Sequence, residues 1–142
     1  MRVTMDVNFE KFHKKCEAAI SKVAQSTKKA TEAACRDIMF DSLKQVPRDT
    51  EALASSAFYE VKHAPDYGFE AILGYGRGGK VNPKTGVPVE DYAVVVHEDL
   101  EAVHPVGKAK FLEDPIRDFT SRKFPRTVIK HVGPALESEN NE

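Results

Sequence analysis

Tryptophan is absent from this chain of 142 residues, and cysteine nearly so, with Cys16 and Cys35 the two of their kind. Both fall within one predicted helix, about 28 Å apart at a rise of about 1.5 Å per residue, so they cannot bridge each other. No CxxC pair and no Cys/His cluster at zinc-finger spacing accompanies them. That leaves two half-buried thiols, suited to a reducing compartment, and no disulfide or zinc framework. Long apolar runs are missing too: nowhere does the chain approach the ~20 apolar residues that span a bilayer. Its opening, MRVTMDVNFEKFHKK, has neither the apolar core nor the small-residue cleavage site of a secretory leader, an expectation against secretion and membrane insertion. Nor is one sign of charge in excess. Lys plus Arg number 21 against 22 Asp plus Glu, which removes the broad basic field of an autonomous DNA binder and leaves only local contact with nucleic acid.

Catalytic signatures are equally scarce. No serine sits on a GxSxG elbow, neither cysteine has a recognisable histidine partner, and no pair of carboxylates is spaced as acid and base. Residues 94–104 hold His97, Glu98, Asp99, Glu101 and His104, and two histidines with a carboxylate are a conceivable metal set. The spacing argues otherwise: HExxH is absent, no third histidine is near, and on a strand His97 and Glu98 would point to opposite faces. Hydrogen-bonding and strand-end roles are the reading, with no metal and no cofactor. The run Gly74-Tyr75-Gly76-Arg77-Gly78-Gly79-Lys80 is superficially a phosphate-binding loop, but no helix is predicted to begin after it and supply the field. Residues 76–90 string together GRGGK, NP, TG and VP, an exposed and mobile loop. Arg77, Gly78, Gly79, Lys80 and Lys84 are therefore candidates for an interface or for brushing a phosphate backbone.

What the chain does have is order. Residues 8–44 contain no proline or glycine, and Phe9, Phe12, Cys16, Ile20, Val23, Ala30, Ala34, Ile38 and Leu43 recur at helical spacing. One long amphipathic helix follows, with Asn8 as N-cap and the lysines mainly on its wet face. Its stripe thins to small residues over 24–31, which predicts either a kink or the close approach of a sheet or a neighbouring subunit. Pro47 ends it, and a short turn of helix comes next, capped by Asp49 or Thr50. Residues 57–63 and 69–75 suit an antiparallel hairpin. Residues 92–97, rich in β-branched side chains, predict a third, central strand buried on both faces. A second helix is expected from about 108 to 130, starting near Asp114 or bending because of Pro115, and disrupted near Phe124 by Pro125. A frayed tail covers about 133–142. The expected fold is thus a single α+β domain over residues 1–142. A long N-terminal helix and a C-terminal helix pack on a small antiparallel sheet of three to four strands.

Three segments carry a resemblance. They are Val46-Pro47-Arg48-Asp49-Thr50-x-x-Leu53-x-x-Ser56, then Asp91-Tyr92-Ala93-Val94-Val95-Val96-His97-Glu98, and His104-Pro105-x-Gly107-Lys108-Ala109-Lys110-Phe111-Leu112-Glu113-Asp114-Pro115-Ile116. In that order, over nearly the whole chain, the sequence resembles the minor capsid and tail-component family of tailed bacteriophages, the head-tail joining or tail-completion proteins. It departs from the family at Glu51, where glycine is usual. The resemblance implies a non-enzymatic structural protein of the virion, made in the host bacterial cytoplasm and placed at the head-tail junction. Copies would form a homo-oligomeric ring around the DNA channel, meeting other neck, connector and tail proteins and touching packaged DNA non-specifically. A tail terminator or head-closure protein would use the same features. Tyr92, His97, Glu98, His104, Gly107, Lys110, Phe111, Leu112 and Pro115 then form an architectural motif. In it Gly107 turns the chain, Phe111 and Leu112 anchor the second helix, and Glu113 and Asp114 favour its N-terminus. Two other classes remain open: a small metal- or nucleotide-dependent enzyme using His97, His104 and the glycine loop, and a monomeric DNA-binding module using Arg77, Lys80 and Lys84.

Overall fold

A computed structural model describes residues 9–137. Helix α1, Glu10–Leu43, is 34 residues long, about 51 Å at 1.5 Å per residue. Asn8, the expected cap, lies outside the described residues; Phe9 holds the N-cap position without a side-chain bond. The small-residue stretch does not interrupt α1. Thr27 and Thr31 fold their hydroxyls back onto the carbonyls of Val23 and Thr27, each at 2.9 Å, so their polar groups are met within the helix. Ala30, Cys35, Ile38, Met39 and Ser42 form its buried face. Cys35 is buried and Cys16 exposed, rather than both half-buried. After Pro47 comes α2, Ala52–Ser55, whose N-cap is Glu51 in the left-handed region at φ 59°. Neither Asp49 nor Thr50 caps it: Glu51 takes the cap position, and the Asp49 carboxylate pairs with Lys84.

Strands β1, Phe58–His63, and β2, Phe69–Gly74, pair antiparallel from Phe58↔Gly74 to His63↔Phe69. Asp66 and Tyr67, both at positive φ, form the I′-type turn that matches strand twist. Among the described residues the sheet ends there, with two strands. Residues expected as a third, central strand instead lie in helix α3, Val89–Glu98. Val89 and Ala93 are buried, Tyr92, Val96 and His97 half-buried, and Val94 and Val95 point to solvent at 69% and 62% exposure. That is helical periodicity, and the valine run is half wet face rather than buried on both sides. Pro88 precedes the helix and Glu90 and Asp91 occupy its first turn, where carboxylates favour a helix start.

The C-terminal rod begins at α4, Glu113–Asp118, with Pro115 tolerated in its first turn. It widens into a π-helical turn, Phe119–Lys123, and continues as α5, Phe124–Glu137. The disruption expected from Pro125 is this wider turn, directly ahead of the proline whose N–H is missing. Residues 133–137, expected to fray, are still helical, and Ala135 is buried; the remainder of that expected tail lies outside the described residues.

These elements stack along α1. Helix α5 runs antiparallel to it, with Lys123 bonded to Asp41 at 2.6 Å and Thr127, Lys130 and His131 facing Ala33, Arg36 and Asp37. The hairpin lies along α1 as well: Tyr67 at its tip borders Ala19 to Thr27, and the Tyr75 hydroxyl past its other end meets Ser42 Oγ at 2.7 Å. The core gathers at the C-terminal end of α1, where Val46, Leu53, Val89, Ala93 and Phe111 pack together.

Candidate functional site

The three motif segments meet at that end of α1, and Phe111 is their pivot. Its ring is 1% exposed and lies edge-on to His97 at 4.9 Å and to Tyr75 at 5.1 Å between centroids. Such T-shaped contacts add about 0.5–1.5 kcal/mol each beyond burial. What lets Phe111 reach the core is the bend before it. Gly107 sits at φ 88°, and a Cβ there would come within 2.6 Å of Val46 and Pro47 backbone atoms. The Lys108 N–H donates to the Gln45 carbonyl at 2.9 Å, fixing this crossing. Two residues on, the Lys110 N–H donates to the His97 carbonyl at 2.8 Å, so the bend grips the last turn of α3.

Charged groups close the joint. Glu98 bonds Lys110 and also His97 Nδ1, the latter at 2.7 Å, while Lys110 reaches Glu113 at 2.8 Å and Lys108 pairs with Asp114. His97 Nε2 accepts the Glu113 N–H at 3.3 Å. Hydrogen bonds from Lys110 and then His97 hold the Glu98 carboxyl below its usual range; Lys110 does the same to Glu113, and Lys108 to Asp114. Lys110 is raised in turn by Glu113 and Glu98. Leu112 packs on the core, and Pro115 is buried in the first turn of α4. Tyr92 bonds Asn82, and desolvation raises its hydroxyl pKa. His104 lines a separate hollow with Pro47, Leu53, Tyr92 and Val96, and its Nε2 is sealed from solvent without a hydrogen-bond partner. Thus the expected strand-end role of His97 and Glu98 becomes a helix-end role, and Phe111 anchors to α3 and Tyr75 rather than to a broad sheet.

The glycine loop is more structured than its composition suggests. An isolated bridge joins Val81 to Pro88, and Asn82 exchanges backbone bonds with Val87 and Gly86. Arg77 lies over the Phe58 ring at 3.8 Å and bonds Glu60 at 3.3 Å, and Lys84 pairs with Asp49. Two of the three candidate cations are therefore turned back onto the protein, while Gly78, Gly79 and Lys80 stay exposed. A helix does follow the loop, contrary to expectation, and Gly76 packs against Glu90 at its start. Glu90 and Asp91 already occupy that positive end and would repel a phosphate.

Both His97 nitrogens are engaged, and His97 and His104 line different hollows. Among the described residues no group of three or more His, Cys, Asp and Glu side chains is placed to hold a metal ion. Sequence reasoning missed Tyr75 and Ser42 as partners of this joint, since neither belongs to a motif; their hydrogen bond becomes visible only once the hairpin is laid along α1. No helix among the described residues is long and apolar enough to cross a membrane. Comparison with protein-family models, curated proteins and solved structures finds no match to this chain.

Proposed function

We propose that the chain is a structural subunit of the neck of a tailed bacteriophage, joining head to tail or completing the top of the tail as part of a ring. The observation that supports this reading is the convergence of residues 46–56, 91–98 and 104–116 on one joint. The residues that carry the resemblance hold the fold together there, with Phe111, Gly107 and Lys110 spent on packing and pairing rather than left open to a substrate. Such a part presents surfaces; it does not turn over. The enzyme alternative requires His97, His104 and the glycine loop to act together, but His97 is engaged at both nitrogens, His104 lines a different hollow, and Glu90 and Asp91 occupy the start of α3. The DNA-binding alternative requires Arg77, Lys80 and Lys84 together, and two of them are paired. Contact with packaged DNA through Lys80 would be local and non-specific.

Gold-labelled antibody against this protein, imaged on intact virions, tests the reading. Label confined to the head-tail junction is the expected result; virions without the protein would end it.

A further inference from the structure

The start of α4 is capped from another helix. Leu112 holds its N-cap position without a side-chain bond, and Pro115 brings no N–H. The Asp114 N–H goes to the Lys110 carbonyl at 3.0 Å and the Ile116 N–H to the Leu112 carbonyl at 3.2 Å. That leaves the Glu113 N–H, whose partner is His97 Nε2 on α3, at 3.3 Å. Among the described residues His97 is the only side chain that accepts an N–H from this end.

The two partners of the ring dictate where its proton sits. A carboxylate only accepts, so Nδ1 carries the hydrogen that Glu98 receives at 2.7 Å. A main-chain N–H only donates, so Nε2 is bare. The bond to α4 therefore exists only while His97 is neutral. A second proton would set N–H against N–H at Nε2 and put a positive charge at the positive end of the rod.

Other groups around the ring pull the opposite way. His97 lies in the last turn of α3, where a cation is favoured, and Glu98 bonds an imidazolium more strongly than a neutral ring. At the start of α4 the carboxylates of Glu113 and Asp114 stand near, offset by their partners Lys110 and Lys108 in the bend and by Arg117. The Tyr75 hydroxyl, which burial pushes up, brings no charge. The ring is 18% exposed, so protons reach it from solvent. It thus has partners in either charge state: neutral, it joins α3 to α4; charged, it stays with Glu98 and lets α4 go.

We infer that His97 is a pH-operated catch between α3 and the C-terminal rod, closed near neutrality and released by mild acid. Release is local. It frees the Glu113 N–H and the first turn of α4, while the ion pairs of Glu98, Glu113 and Asp114 hold the rest of the joint until their carboxyls protonate at lower pH. The inference rests on the geometry of the joint and is independent of the neck reading.

Nitrogen-15 NMR of the full chain, followed from about pH 8 to about pH 5, tests it. At the alkaline end His97 should show a bare Nε2 and a protonated Nδ1. As the ring charges, the Glu113 amide signal should move with the same midpoint. Protection of that amide against exchange, corrected for the intrinsic effect of pH, should fall about fivefold. Amides in the middle of α1 should not respond. In His97→Gln, whose side chain has similar reach but no proton to gain, the Glu113 amide should hold one position over the same range. A hydrogen on Nε2 at the alkaline end, or a His97 that stays neutral throughout, would overturn the inference. So would a Glu113 amide that ignores the His97 midpoint, or an unchanged response in His97→Gln. None of these bears on virion labelling, so the neck reading stands or falls separately.

Discussion

The two ends of α1 make opposite use of one stripe. At the C-terminal end Ile38, Met39 and Ser42 are buried on a helix against which the hairpin and the C-terminal rod pack. At the N-terminal end Phe9, Phe12 and Cys16, at the same helical spacing, face water. An amphipathic pattern thus records that a face is to be covered, but not whether the cover is this chain or another. The buried end should behave as the foundation of the fold and the bare end as a surface.

Substitutions can break that contrast. The largest expected effect is at Phe111: replacement by alanine empties the pivot and should destabilise by about 3–5 kcal/mol in urea unfolding. Gly107→Ala should follow at about 3 kcal/mol, because the added methyl meets main chain that cannot move aside and the residue is held at positive φ. Either variant losing less than about 1 kcal/mol would show that the joint is not the foundation.

Acid sharpens the comparison. Glu98, Glu113 and Asp114 have carboxyls lowered in the folded state. Their stabilising contribution is therefore present above the unfolded carboxylate values near 4 and lost as pH falls through the lower folded values. Asp41, lowered by Lys123 and then Lys44, behaves likewise where α1 meets the rod. Hydrogen exchange should show amides of α3 and α4 losing protection below about pH 4. The smallest effect is expected at the bare end: Phe12→Glu should alter the stability of the chain by no more than about 0.5 kcal/mol.

Much of the fold was legible because its signals were local. The proline-free stretch placed α1 to within two residues of its bounds, and the turn formers at 64–68 placed the hairpin. Helix α3 was not, because Tyr92 to His97 is too short to separate a period of 2 from one of 3.6 and its valines favour a strand by propensity. Pro88 with Glu90 and Asp91 was the available signal for a helix start. Losing that strand also lost the third member of the sheet. At the joint, spacing identified Gly107 as a turn and Phe111 as an anchor. The pairing of Lys110 with Glu98 and Glu113 was hidden, since it depends on the left-handed backbone of Lys110 at φ 57°. Glu51 shows the same conformation at φ 59°, where the glycine usual in the resembled family would sit without strain.

The π-helical turn at Phe119–Lys123 also acts as a spacer in the reading frame of the rod. An α-helix advances about 100° per residue, so a single residue added or removed re-aims everything beyond it. With the turn in place, Phe119 at its start and Ala135 beyond it in α5 are both buried. Deleting one residue from the turn would let the rod close into regular α-helix and swing Ala135 away from its packing, so length here is constrained as tightly as identity.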